Sequence, residues 1–414
     1  MKMLLRGAAA ALGLILCMPA MAEDINILSI EQNGANGKEY YLRLAKSFEE
    51  ENPGITVRFE FLDDASFKSK LPTLLQSSAR PDAFYTWTGG VFQEQAKAGI
   101  LKDISSEMDA EARAVYTPSS IEAHLYDGKL YGIPLYAAGV ALFYNRELTE
   151  EAGIDPNTIK TWDDFLSAVQ QIKKAGITPI ILDGKDKWPI AFYYSYLASR
   201  VAGTAGIKQA DEHGFDNDDF VRAGQLFKQL VDLEPFQQGF MDTNQNKGAG
   251  LFGDGRGAFY LMGNFMVGQH AKNSTSGKGL GNKLDYIPFP AVDGGKGNPA
   301  DTLGGVSGWL VTKEAAPSTV KFLRYLTNRE NQLEGGRLGL WLPVANDAQS
   351  QIQDPRLRGV AELLAKAPHH QLYLDQAFGA VVGAAFNDAA AQIATGELTP
   401  EDAAALIEDA RALR

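Results

Sequence analysis

Short apolar runs alternate with helical periods along this chain, and clusters of turn residues separate them. Ile25 to Ile30 reads as a buried strand, followed by a polar, glycine-containing stretch from Glu31 to Lys38. Tyr41, Leu44, Ala45 and Phe48 then recur at i, i+3, i+4 and i+7, one face of a helix that Asn52-Pro53-Gly54 stops. Val57, Phe59 and Phe61 alternate as a second strand, and Phe67, Leu71, Leu74 and Leu75 give a second helical face. Pro72 has no amide hydrogen, so it predicts a kink or restart in that helix. After Arg80-Pro81-Asp82, Ala83 to Thr86 is a third strand. Strands alternating with helices predict an α/β lobe with a mainly parallel sheet.

A second run of the same kind follows. Tyr126-Asp127-Gly128-Lys129-Leu130-Tyr131 is an Asp-Gly turn between apolar flanks and predicts a hairpin. Ala141 to Asn145 reads as a long buried strand. Thr161-Trp162-Asp163-Asp164 places a capping threonine three residues before an acid, ahead of Phe165, Ala168, Val169 and Ile172 at helical spacing. The last helix opens at Thr399-Pro400, with Leu406, Ile407 and Ala410 predicted to face inward.

The first 22 residues have a different logic. Lys2 and Arg6 precede an apolar run from Ala8 to Met18, and Ala20-Met21-Ala22 has the small-x-small form of a secretory cleavage site. Residues 1–22 are therefore expected to be a signal peptide, with Glu23 as the mature start and the periplasm as the destination. Cys17 is the single cysteine. It lies inside that segment, so no disulfide, thiolate metal site or cysteine nucleophile is expected in the remainder. A lipid anchor on Cys17 is the competing reading, and the bulky Leu14-Ile15-Leu16 before it argues against that reading. No later segment approaches the length of a spanning helix. The net charge of −12 becomes two charges more acidic when Lys2 and Arg6 are lost. Such a surface disfavours nucleic acid and anionic membrane as partners.

Enzyme signatures are absent. There is no G-x-S-x-G elbow, no H-E-x-x-H and no phosphate loop, and Gly253-x-Gly255-x-Gly257 has the wrong spacing for a dinucleotide fingerprint. The histidines show no zinc spacing, and no metal or cofactor is expected. Asp242-Thr243-Asn244-Gln245-Asn246-Lys247-Gly248 resembles a calcium loop, but Gly253 stands where the bidentate glutamate belongs, so a polar surface loop is the better reading. The five tryptophans are more informative. Trp87, Trp188 and Trp341 lie beside glycine or proline in expected loops, each either a core residue or a plate for the apolar face of a sugar ring. Trp162 follows a helix cap and should be core, while Trp309 is balanced between crossing strand and cleft.

Six segments together resemble the extracellular solute-binding proteins, family 1, the sugar-binding subunits of ABC importers. They are Ala45 to Pro53, Arg80-Pro81-Asp82, Asp127 to Pro134, Leu142 to Asn145 with Ala152-Gly153-Ile154, Thr161 to Phe165, and Gly255 to Phe265. The resemblance implies an α/β fold of two discontinuous lobes, 23–140 with 305–342 and 141–304 with 343–414. Crossing segments near Leu142 to Asn145, Leu303 to Thr312 and Leu340 to Ala345 would join them. It also implies a carbohydrate, a di- or oligosaccharide, held between the lobes and delivered to the permease subunits by a monomer. Trp87, Trp188, Phe265 and Trp341 would stack, Glu31, Asn33, Asp63, Asp64 and Asn264 would hydrogen-bond, and Tyr136 and Gly305 would complete the site. Phe265 stands where relatives often carry tryptophan. The alternatives are a secreted glycoside hydrolase or lyase, or a cleft protein for polyamine or iron. Neighbouring tyrosines at Tyr40-Tyr41 and Tyr193-Tyr194 could serve iron, and helical periodicity explains both pairs as helix faces.

Overall fold

The computed structural model describes residues 22–30 and 37–414. The proposed leader, apart from Ala22, and two candidate ligand residues, Glu31 and Asn33, lie outside them. The chain opens with β1 (Glu23–Ile30), α1 (Gly37–Glu51), β2 (Ile55–Leu62), α2 (Asp64–Leu75), β3 (Ala83–Thr86) and α3 (Gly89–Lys97). β1 pairs in parallel with β2 on one side and β3 on the other, as alternating helices and strands require. Pro72 does not break α2: it is exposed in the last turn, where only one intrahelical bond is lost. Short helices α4 (Ala110–Arg113) and α5 (Pro118–Glu122) lead to the expected hairpin, β4 (Leu125–Tyr126) and β5 (Lys129–Leu130). Asp127 and Gly128 take φ of 49° and 73°, the left-handed pair that such a two-residue turn needs.

The long strand β6 (Gly132–Asn145) then leaves the first sheet and enters the second. The second half of the chain carries α6 (Arg146–Glu151), α7 (Trp162–Lys174), α8 (Trp188–His213, broken at Gly203), α9 (Asp218–Val231), α10 (Gln245–Gly253), β7 (Phe259–Gly263), α11 (Met266–Asn273) and β8 (Leu284–Ile287). The Thr161 cap forms as a reciprocal capping box with Asp164, and Trp162 packs beneath α7, 2% exposed and stacked on Phe289. Asp242 to Gly248 departs from the loop reading, because Asn244 caps α10 through the Lys247 N–H and makes Gln245 onward helical. β9 (Thr302–Val311) returns to the first sheet, followed by α12 (Thr319–Leu326), α13 (Arg329–Arg337), β10 (Leu342–Pro343), α14 (Pro355–Lys366), β11 (His370–Leu372), α15 (Leu374–Ala377), α16 (Ala380–Thr395) and α17 (Pro400–Ala412). In α17, Ile407 and Ala410 are buried and Leu406 half-buried. No helix among the described residues is long and apolar enough to cross a membrane.

Two strands therefore belong to both halves. Gly132 to Gly139 of β6 pairs with β9, while Val140 to Asn145 pairs with β7 and β8. Likewise Thr302 to Gly304 of β9 pairs with β11, and Gly308 to Val311 pairs with β3. The hydrophobic interior divides along the same lines. One core holds Ile25 to Leu135 and Trp309 to Val344, and the other runs from Ala138 through Leu303 to Ile407. Trp309 is wholly buried in the first core and Tyr40, Tyr41, Tyr193 and Tyr194 are buried on helix faces. Of the expected crossing from Leu340 to Ala345, only Leu342 and Pro343 pair with β6.

His124 is wedged against the paired segments of the crossing strands. Its Nδ1–H donates to the Ser120 carbonyl at 2.9 Å, and Nε2 has no partner. The ring fits because Gly308 and Gly132 have no side chains: a Cβ at Gly308 would stand 2.1 Å from Nε2. Burial holds the imidazole neutral and pulls its pKa from 6.5 to about 4. The unfolded chain takes up a proton below pH 6.5 that the folded chain refuses until about 4. Stability from His124 is thus complete above 6.5 and is lost as pH falls towards 4, by about 3 kcal/mol. Chemical denaturation of the parent and of His124→Gln between pH 7 and 4 should show a shallower decline in the variant. Equal slopes would contradict the assignment.

Candidate ligand-binding cleft

Between the two cores lies a cleft enclosing about 1000 Å³, including space open to solvent. Asp64 and Lys68 of α2 and Trp87 after β3 reach it from the first core. Trp188 and Phe192 of α8, Phe265 at the start of α11, and Tyr373 and Asp375 around α15 reach it from the second. Local backbone chemistry fixes these positions. Trp87 is followed by Thr88, whose φ of 61° and ψ of −153° are costly for a β-branched residue. That geometry is held by the Thr88 hydroxyl, which reaches the Val306 carbonyl at 3.0 Å, and by its N–H, which donates to Thr86 Oγ1. Lys187, at φ 60°, turns the chain into α8 so that Trp188 opens the helix with Pro189 behind it.

The second lobe supplies a wall of rings. Trp188 stands edge-on to Phe192 and Phe265, with centroids 5.2 and 6.3 Å away, and Phe192 stacks on Tyr373 at 5.3 Å. On the opposite wall, Trp87 receives the edges of Phe67 and Tyr85, and the Lys68 ammonium lies 5.0 Å from its centroid. Tyr136 sits between the walls on β6. Its hydroxyl donates to Tyr85, 2.5 Å away, which donates on to Ser307 at 2.7 Å.

Two residues lining the cleft carry buried donors with no protein acceptor, the Trp188 Nε1–H and the Tyr373 hydroxyl. Tyr373 is only 8% exposed, and burial first, then nearby Tyr136 and Asp375, push its pKa well up. It remains an O–H donor. Leaving such groups unpaired costs about 1–3 kcal/mol each. Lys68 bridges Asp64 at 3.1 Å and Asp375 at 3.8 Å. Burial pulls the Lys68 pKa down, and the two carboxylates more than offset it, for a net rise. Among the described residues no cluster of His, Cys, Asp or Glu could hold a metal ion.

The candidate residues divide into those that line the cleft and those that support it. Asp64, Trp87, Tyr136, Trp188, Asn264, Phe265 and Trp341 line it. Asp63 does not: its carboxylate caps α2, accepting from the Ser66 N–H and hydroxyl, and those bonds hold its pKa down. Gly305 does not line it either. It lies under the Tyr373 ring, where a Cβ would approach to 3.2 Å. Asn264 is committed to the crossing strand β6, since its Oδ1 accepts the Gly139 N–H and its backbone N–H donates to the Gly139 carbonyl, both at 2.9 Å. Trp341 is not a free plate. It packs on Gly335, near-parallel to Tyr41 and Tyr136, and is 3% exposed. Sequence reasoning missed Lys68, Phe192, Gln245, Gln269, Tyr373 and Asp375, all of which line the cleft. For Lys68 the available signal is its place four residues after the candidate Asp64 on the second helical face. Nothing local distinguished Tyr373 or Asp375.

Comparison with known proteins places this geometry in a family. The profile of the bacterial extracellular solute-binding proteins matches residues 34–333. An uncharacterized ABC transporter extracellular-binding protein of Pyrococcus horikoshii is 24% identical over 377 residues, 87% of this chain and 81% of that one. The melibiose/raffinose/stachyose-binding protein of Bacillus subtilis is 24% identical over 267 residues, 62% and 59% of the two chains. The chain spans 62% of the length of the Brucella abortus relative it matches at 27% identity. A solved structure from work on xylan utilization by the thermophilic bacterium Caldanaerobius polysaccharolyticus superposes with a TM-score of 0.86 at 24% identity, over 93% of this chain and 99% of that one. That likeness shows the two-lobed fold. The chain belongs to the bacterial extracellular solute-binding proteins.

Proposed function

We propose that this protein is the solute-binding subunit of an ABC importer that captures a di- or oligosaccharide in the cleft and presents it, unaltered, to the membrane permease. The observation that carries this reading is the pairing of aromatic faces with buried, unpartnered donors in one cavity. A sugar ring has an apolar face for Trp87, Trp188 and Phe265, and oxygens that accept from the Tyr373 hydroxyl and the Trp188 indole. Membership in a family of binding proteins supports capture over hydrolysis. The leader-like segment of residues 1–22 supports the periplasm as the site of action.

The lobes in this reading are 23–140 with 305–342 and 141–304 with 343–414, hinged where β6 and β9 change sheets. A ligand touching both walls stabilises the closed arrangement in proportion to its extra affinity for it. The permease then discriminates loaded from empty protein by shape. Gly139, Asn264 and the Tyr136–Tyr85–Ser307 hydroxyl chain tie the hinge strands to the cleft, so ligand contacts and hinge geometry are coupled.

Two measurements test this. A neutral oligosaccharide panel, screened by melting temperature and by chromatography of the recovered sugar, should yield a stabilising ligand returned intact. At 100 times its dissociation constant the ligand should add about 2.7 kcal/mol. Cleaved product would favour a glycoside hydrolase, and no stabilisation by any saccharide would remove the carbohydrate reading. Tyr373→Phe should weaken that ligand about 2- to 10-fold while leaving the empty protein as stable or slightly more so, because the unpaired hydroxyl is gone. Trp188→Ala should weaken it by tenfold or more, roughly the effect of losing a central aromatic contact. Calorimetry reads both, and unchanged affinity in the two variants would place the ligand elsewhere.

A further inference from the structure

Lys68 is the one cation among the described residues lining the cleft, and the first core and the second each contribute a carboxylate to it. Asp64 lies one helical turn before Lys68 on α2, with Oδ2 3.1 Å from Nζ. Asp375, on α15 across the cleft, places Oδ2 3.8 Å from the same nitrogen. That oxygen also accepts from Gln376 Nε2 at 3.1 Å and Asn387 Nδ2 at 3.2 Å, so Asp375 is fixed in place. The ammonium packs on Trp87, which shields one more of its sides. Among the described residues, the other polar groups lining the space are neutral. Tyr373 and Trp188 carry uncharged donors, and the Gln245 amide is paired with Gln269. Asp186, which accepts the Gln245 N–H at 2.7 Å, adds a further acid behind this wall. Burial raises its pKa first, with Asp64 and Asp63 adding to the rise and the Gln245 N–H and Lys185 opposing it.

From this arrangement we infer that the Asp64–Lys68–Asp375 bridge is a charge filter that admits neutral saccharides and rejects acidic ones. The inference rests on the saccharide-binding reading given above and specifies its ligand class. A uronic or otherwise carboxylated sugar needs a free cation or a cluster of charged donors, and here the cation is already shared by two carboxylates. The three side chains together carry one net negative charge, in a space where apolar walls reduce screening. A neutral sugar meets no such opposition, and its hydroxyls pair with the uncharged donors. Because Asp375 comes from the opposite lobe, the filter is complete only when both walls face the ligand.

The test starts from the tightest neutral oligosaccharide found in a screen of malto-, xylo-, chito- and raffinose-type sugars. Its affinity is compared by calorimetry, at low ionic strength, with the same sugar oxidised at one primary or anomeric carbon to the carboxylate. The parent protein should bind the neutral form by about tenfold or more over the acid. Asp375→Asn, nearly isosteric, should shrink that ratio, and Asp64→Asn with Asp375→Asn should shrink it further or invert it, since Lys68 is then unmatched. Circular dichroism melting checks that both variants fold. Equal affinity for the two sugars in the parent protein would overturn the filter while leaving saccharide binding intact. So would a ratio that stays fixed in folded variants. Failure of every neutral sugar to bind would instead remove the saccharide reading, and the filter with it.

Discussion

The structure depends on two strands that serve two sheets. β6 and β9 each run from one hydrophobic core into the other, and their partners change partway along. Each half of the molecule can then be rigid internally while the connection between them remains a narrow waist of backbone. Close packing resists deformation within each core, so relative motion concentrates where cores give way to crossing strands. The cleft exists because neither core extends across that waist, and the residues facing it come from both sides.

This arrangement explains why the cleft tolerates features that would be costly elsewhere. Thr88 holds a backbone conformation that disfavours side chains, and the Tyr373 hydroxyl and the Trp188 indole N–H are left without protein acceptors. Strain and unsatisfied donors at one place signal a surface organised for something other than its own stability. The polar groups that do pair, Asn264 with Gly139 and Tyr136 with Tyr85 and Ser307, join the cleft to the crossing strands.

Much of the fold was legible from periodicity. Ala83 to Thr86, the Asp127-Gly128 hairpin, the Thr161 capping box and the final helix all follow from local patterns that tertiary structure left in place. The site was legible only where chemistry and turn residues coincide. Trp87, Trp188 and Phe265 stand at element ends and line the cleft, yet Trp309, in similar company, is wholly core, and Trp341 borders the cleft while packed into the core and only 3% exposed. What separates them is the neighbour each meets across the fold, such as Gly335 against Trp341, and a single sequence does not display that. Lys68 and Asp375 lie some 300 positions apart, and only the crossing topology makes them an ion pair. Asp63 was a sound choice by type, but its position before α2 made it a cap.

The central claim is that a saccharide draws the two halves together by touching both. Small-angle X-ray scattering of the protein with and without a saturating, tightly bound oligosaccharide addresses it directly. A smaller radius of gyration in the loaded protein, reversed when the sugar is dialysed away, is the predicted result. Full occupancy by calorimetry with scattering curves that superpose would contradict the account.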